Sequence, residues 1–589
     1  MKIILMLAIL LLSHLARAAP PGLIAWQPYG EAAFAQARAE NKLVLLELEA
    51  VWCHWCHVMD ARTWSDPQVA AAVHAGYVPV RVDHDARPDL ATRYQDYGWP
   101  AIIILDADGR DLVKRAGYQA SEGMLALLAA VRRDPTPESA PPAERQVWAE
   151  SPLLGAEVAG ALKQRFVDSH DFKLGGLRGD QKFIDRDATE YALFLAGEGD
   201  AQAARMARND LAGGRRLADP VWGGIYQYST HGDWEHPHYE KLGQIQADYL
   251  RLFALGYAAF HNPEDLRVIR KLHTYLRTFL RSPEGAFFTS QDADVRPGEK
   301  ATRYFTLSDA ARQREGIPRV DRHIYSRENG LIAAALVQAA LATGDAGMLD
   351  DARQAVNYIL TQRGLPGGGF RHDAQDAAGP YLADNLAMLR ALLALHGATG
   401  ERDWLKRAME TARFMEARFT LGTDPGYIGA APGGPLAPVR NIDENIALAR
   451  AANLLHRYSG DTAFKAMAER AMRYLATPEV ALSRISDPGI LLASHELGND
   501  PLHITIVGQR DDPVAQALFQ TAARWPVVYK RGDWWDQREG PMPNPDVAYP
   551  QLPKSAAFLC TQGRCSLPLF SAQDLLDQLG QLGQTATQP

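Results

Sequence analysis

Cys53 and Cys56 stand three residues apart in "EAVWCHWCHVMDARTWSDPQV" (49–69), with His54 and Trp55 between them and His57 just behind. A C-x-x-C pair can pass electrons by thiol–disulfide exchange or lend two thiolates to a metal. Cys53 follows the apolar run "LVLLELE" and opens a helical segment. A helix N-terminus presents unpaired N–H groups and the positive end of the helix dipole, and both favour a thiolate. Cys53 is therefore the expected nucleophile and Cys56 the resolving thiol. His54 would lower the thiolate pKa further and stabilise the reduced form. Zinc needs four ligands; His57 could supply a third, but no second cluster lies nearby in the sequence. No metal and no cofactor are expected. A structural disulfide without turnover is the bland alternative.

A second set of polar residues lies further along. His236, His238, Glu240 and Lys241 fall within six residues, Asp292 and Asp294 follow a Gly turn, His323 precedes "NGL", His372 follows "GGGF", and Asp384 and Asn445 begin later inner helices. Paired carboxylates could act as acid and base on a glycosidic bond, and a histidine pair could move a proton beside a sugar carbonyl. The same residue types are also ordinary helix caps and buried network members. Cys560 and Cys565 flank "TQGR", a spacing that suits a hairpin-like structural disulfide; a second redox pair exchanging with Cys53–Cys56 is the sharper alternative.

The elements that must position these groups are legible. "LVLLELE" (43–49), "YVPVRVD" (77–83) and "AIIIL" (101–105) read as strands, with helical segments at 29–41, 56–64 and 89–97 and a "DADG" turn into "RDLVKRAGY". That is a small α/β domain. Trp99-Pro100 precedes the third strand, where thioredoxin folds place a cis-proline against the cysteines. Pro100 would shape the partner groove with Trp99 beside it. "DPTPESAPPAERQ" is a linker. Beyond it, apolar residues recur at helical spacing, interrupted by Gly-rich turns near Gly176, Gly224, Gly285, Gly369 and Gly426, and more weakly at Leu482. Six helical hairpins predict a closed ring, with an open solenoid as the alternative, and the connecting loops would form a concave rim holding the second polar set. The tail reads as α/β, with strands at "PLHITIVG" and "PVVYK" and a helix at "PVAQALFQTAARW".

At the N-terminus, Lys2, the apolar run Ile3–Leu12 and the small residues Ala16 and Ala18 form a signal-peptide pattern with cleavage after Ala18; an uncleaved anchor is the alternative. A periplasmic or secreted location is expected, where disulfides persist, with no stable membrane span once the signal is cleaved. The net charge of -8 gives no electrostatic case for nucleic acid.

"CHWCHVM", "VPVRVDHDARPDL" and "GWPAIIILDADG", followed by "HPHYEKL", "FFTSQDAD", "NGL", "YLADNLAML" and "FLCTQGRCSLP", resemble the YyaL / spermatogenesis-associated thioredoxin-like family, whose first domain is also called DsbH-like. Leu242 and Tyr239 stand where that family has Met and Phe, and the segment after Asp294 lacks its E-G-K-F-Y-x-W. The resemblance implies a thioredoxin fold followed by an (α/α)6 barrel similar to N-acylglucosamine 2-epimerases and six-hairpin glycosidases. The expected division is signal peptide 1–18, thioredoxin-like domain 19–133, linker 134–147, barrel 148–495 and C-terminal appendix 496–589. The expected function is thiol–disulfide exchange with protein thiols or disulfides, with a carbohydrate as the barrel's partner. A carbohydrate-active enzyme with an accessory thioredoxin domain is the alternative.

Overall fold

The computed structural model describes residues 22–138, 147–376, 378–561 and 564–585. The expected signal peptide, its cleavage site and most of the linker lie outside them.

The first domain is built on a five-stranded sheet of order β1-β3-β2-β4-β5. Its strands are β1 (Gln27–Pro28), β2 (Leu43–Glu49), β3 (Tyr77–Asp83), β4 (Ala101–Leu105) and β5 (Asp111–Ala116). β1, β3 and β2 run parallel, and β4 and β5 are antiparallel additions. The helices are α1 (Glu31–Glu40), α2 (His54–Met59), α3 (Pro67–Gly76), α4 (Pro88–Arg93) and α5 (Ser121–Arg133). Strand alternation sends Leu45, Ile102 and Ile104 to one face with Val73, Met124 and Leu128. Val44, Leu46 and Ile103 go to the other face with Phe34, Leu90 and Tyr94. Both faces are thus covered, which is why the strands read as continuous apolar runs. α3 and α5 were not among the expected helices. α3 starts on an Asp66 cap with Pro67 in its first turn, a signal present in the sequence.

The barrel is a closed double ring, which removes the open-solenoid alternative. Its outer helices are α6 (Ala156–Ser169), α8 (Ala201–Gly214), α10 (Pro263–Tyr275), α14 (Ala346–Gln362), α16 (Arg402–Arg418) and α18 (Thr462–Leu475). The inner ones are α7 (Arg186–Gly197), α9 (Gly243–Phe260), α13 (Ser326–Thr343), α15 (Leu382–Thr399), α17 (Ile442–Ser459) and α20 (Pro488–Gly498). Each inner helix packs on the next, and α20 returns to α7. The ring therefore runs to Gly498, just past the expected boundary. The insertion after Asp294 holds α11 (Thr302–Phe305) and α12 (Asp309–Glu315), and the short α19 (Pro478–Ala481) leads into the last inner helix. Small strands decorate the rim: β6 (Tyr228–Ser229), β7 (Pro237–His238), β8 (Lys241–Leu242), β9 (Ser290–Gln291) and β10 (Val320–Asp321).

The repeat has a visible fastening device. The fourth residue of an inner helix uses its carboxamide to hold the preceding turn. Asn329 does this to Phe287, Asn385 to Phe370 and Asn445 to Tyr427, each accepting the backbone N–H and donating to the C=O. Gln246 treats Ile225 in the same way.

The C-terminal domain has a sheet of order β12-β11-β13-β14, from β11 (Leu502–Val507), β12 (Lys530–Trp535), β13 (Ala556–Thr561) and β14 (Arg564–Cys565). α21 (Pro513–Arg524) and α22 (Ala572–Thr585) pack on it. The strand expected at "PVVYK" begins only at Lys530 and continues through Trp535. This domain covers the C-terminal ends of the inner helices: Arg510 donates to the carbonyls of Thr399 and Gly400, and Asn453 to the Tyr529 hydroxyl. The thioredoxin-like domain covers the opposite end. Arg93 donates to the Ala437 carbonyl, Leu436 joins that domain's core, and Leu436 N–H donates to the Tyr29 hydroxyl. The expected concave rim is thus a docking surface.

Candidate functional site

Cys53 is the N-cap of α2, in extended conformation, and its Sγ accepts the Cys56 N–H at 3.1 Å. The two sulfurs are bonded to each other. The positive end of the helix thus lies against Cys53, as the spacing predicted. Both cysteines are buried, Cys53 at 3% exposure and Cys56 at 1%, among Ala50, Trp52, Trp99 and Leu242. Trp55, at 37%, is the exposed residue of the loop. The Trp99-Pro100 bond is cis. Trp99 is fixed by an edge contact to His84 with ring centroids 4.4 Å apart and by Trp52 at 5.6 Å. Trp52 donates to Asp85 Oδ2 at 2.8 Å, and His84 Nδ1 meets Asp85 Oδ1 at 2.8 Å.

The barrel completes the site. His54 Nδ1 lies 2.8 Å from Asp294 Oδ1, and His57 Nδ1 lies 3.1 Å from Asp294 Oδ2. His57 Nε2 donates to the Val51 carbonyl at 3.2 Å. Asp294 also accepts the Gly298 N–H at 2.8 Å. Burial works against the His57 imidazolium, but the hydrogen bond to Asp294 and the charges of Asp292 and Asp294 outweigh it, so its pKa is raised. Burial would raise Asp294 too, yet the His54, His57 and Gly298 hydrogen bonds hold it below the ordinary carboxylate range. Asp292 is pushed up to about 6 by burial. His57, Asp292 and Asp294 bring three ligating atoms within 4.8 Å of one another, a set that suits a divalent cation. Two of these three residues come from more than two hundred positions away, which is why spacing near the cysteines gave no sign of them.

The other rim residues divide by role. Glu240 is buried beside His238 and pushed up to about 7 by burial, with one carboxyl oxygen lacking a hydrogen bond and lying 4.0 Å from His238 Nδ1; burial and the His54 charge bring His238 down to about 4. His372 is buried between domains. Its Nδ1 meets Asp384 Oδ1 at 2.9 Å, its Nε2 donates to the Asp85 carbonyl at 2.7 Å, and its ring stacks on Tyr325. Asp384 also accepts the Arg327 N–H. Lys241 is buried against Asp219 and the Gly223 carbonyl, and Asn445 fastens its turn. His236 and His323 are exposed and pair with Asp233 and Asp321. The ten residues expected to share a barrel pocket therefore do not face one cavity; none lines the enclosed space at the centre of the ring. The loops of a ring fold usually build its pocket, but here a whole domain sits on those loops.

Cys560 and Cys565 are disulfide-bonded across paired residues of β13 and β14. They belong to the domain at the other end of α13, α15 and α17, each 18 residues long, or about 27 Å of helix. The two cysteine pairs therefore belong to domains at opposite ends of the barrel.

A disulfide-bearing thioredoxin-like domain seated on a six-hairpin helical barrel is thus the class that fold and site define. Residues 12–132 match the Thioredox_DsbH family model, described as a protein of unknown function, DUF255. The chain is 21% identical to the uncharacterized protein B0495.5 of Caenorhabditis elegans across 94% of each. It is 25% identical to human spermatogenesis-associated protein 20 over 46% of this chain and 39% of that one. The thiol:disulfide interchange protein DsbD 2 of Pseudomonas aeruginosa is 35% identical over 13% of this chain and 14% of its own. Among solved structures, a D-mannose isomerase aligns with 58% of this chain and 97% of its own at 12% identity and a TM-score of 0.46.

Proposed function

We propose that the chain is an exported thiol–disulfide oxidoreductase whose Cys53–Cys56 centre works under the cover of its barrel. The observation that carries this is Cys53 as the N-cap of α2, bonded to Cys56 and flanked by imidazoles that a barrel carboxylate holds. In the oxidising direction, a substrate thiolate attacks Cys53 Sγ, the Cys53–Cys56 bond breaks, and Cys56 leaves as a thiolate. A second substrate thiolate then attacks the substrate sulfur of the mixed disulfide and releases Cys53. Two electrons and two protons pass from substrate to protein. The reducing direction is the reverse. His57, whose imidazolium the Asp294 carboxylate favours, stabilises the thiolates by charge. The short matched segment of DsbD 2 supports the same chemistry. The barrel is read as the wall of the redox site rather than as a carbohydrate enzyme, because its rim groups are spent on contacts with the thioredoxin-like domain and on pairs within the barrel itself.

The test is trapping. Reduced Cys56→Ser protein should retain disulfide-linked partners from cell extract that Cys53→Ser protein does not. Wild-type protein should equilibrate with a glutathione buffer at a defined potential. A pair that neither exchanges with glutathione nor captures a partner defeats the proposal.

A further inference from the structure

The middle of the barrel holds a chamber, charged side chains set among apolar helix faces, that the redox centre does not use. It is a cavity of about 230 Å3 inside the ring, walled by all six inner helices, α7, α9, α13, α15, α17 and α20, and bordered by Tyr529 and Lys530 of the C-terminal domain. That is below the roughly 300–1,000 Å3 of drug-sized pockets and fits a small metabolite. No histidine lines it, so the proton-shuttling chemistry considered for the rim has no counterpart here.

Most of its charges cancel. Glu190 takes a two-pronged pair from Arg251 at 2.5 and 2.7 Å and a third bond from Arg450 at 2.8 Å. Arg450 also holds Glu496. Arg186 spends only its Nε, on Asp187 at 2.8 Å. Arg390 makes no hydrogen bond or ion pair with any described residue. Burial, with Arg251 and Arg186 beside it, brings Arg390 down to about 10, so it stays ionised at neutral pH. Asp248 stands near Arg390 without pairing to it, and burial raises its pKa toward the neutral form. Arg390 is partly buried, and Glu190 and Asp248 offset its charge only from a distance. The Arg390 guanidinium and the two terminal nitrogens of Arg186 that its pairing with Asp187 leaves over both border the cavity.

We infer that this chamber binds a small oxyanion-bearing molecule, a carboxylate or a phosphate monoester, through Arg390 and Arg186. The inference stands whether or not Cys53–Cys56 turns over. Titration calorimetry on the full chain tests it, with inorganic phosphate and malonate as probes and glucose as the neutral control. Wild-type protein should bind phosphate or malonate saturably, and whichever binds identifies the head group. Arg390→Met should weaken that binding at least tenfold, the loss of one charge-assisted hydrogen bond or more, while raising the melting temperature of the unliganded protein. Should that variant fail to fold, hydrogen exchange on wild-type protein replaces it, and the bound probe should protect amides of α7 and α15. The inference is overturned if neither anion binds, if Arg390→Met binds as wild type does, if glucose binds more tightly than both, or if protection is confined to the surface.

Discussion

His372→Gln separates the charge of the interdomain clamp from its shape. In the folded protein His372 is buried. Burial disfavours its imidazolium, but the charge and hydrogen bond of Asp384 and the nearby Glu328 prevail and raise its pKa to about 9. With both ring nitrogens protonated it donates to Asp384 on the barrel and to the Asp85 carbonyl of the thioredoxin-like domain. An unfolded histidine titrates near 6.5, so the shift contributes about 3 kcal/mol. Because the folded pKa is the higher one, that contribution is fully present below pH 6.5 and is lost as the pH rises through 9. Glutamine keeps a donor and loses the charge. A chain of three domains need not unfold in one step, so the readout is local: hydrogen exchange of amides in 82–90 and 370–385, wild type against variant at the same pH. At pH 6 the wild type should be better protected by about two orders of magnitude, the equivalent of about 3 kcal/mol. By pH 10 the two should nearly coincide. A protection ratio that stays constant from pH 6 to 10 would refute the charged clamp.

Two further outcomes follow from the fold. Asn445→Ala removes the partner of the buried Tyr427 N–H and C=O, and at about 1–3 kcal/mol for each orphaned group it should destabilise the barrel by about 3 kcal/mol in thermal unfolding. Asn445→Asp should lose the donor half only. Replacing Cys560 and Cys565 by Ser opens a short loop worth about 2 kcal/mol, so the C-terminal domain should melt earlier while the Cys53–Cys56 potential stays unchanged; a moved potential would revive coupling between the pairs.

Parts of this molecule are legible from sequence for plain reasons. "LVLLELE" and "AIIIL" are buried on both faces, so they read as strands without context. α3 is harder because "VAAAVHAG" offers small residues and little periodic contrast. At the rim, sequence shows that Asn445 sits four residues into a helix but not which way its amide turns; it turns back onto its own repeat. The chamber leaves even less trace. Its charges stand on otherwise apolar helices, Arg251 on α9, Arg390 on α15, Arg450 on α17, and no local spacing joins them. Each looks like a stray surface charge until the ring closes.

The covering of Cys53 has a consequence for the proposed redox function. Exchange requires an incoming sulfur to reach Cys53, yet Trp99 and Leu242 leave it nearly inaccessible. Leu242 lies on β8, which pairs with β9, and β9 pairs with β10. The chain leaves β9 directly into Asp292 and Asp294, the carboxylates that meet His54 and His57. One three-stranded rim sheet therefore both covers the sulfur and sets the charge around it. A partner that displaces this sheet gains access and at the same moment removes Asp294 from the imidazoles. Under the proposed redox function, access and thiolate stabilisation are coupled through the barrel, which would then take part in choosing which thiols the pair meets.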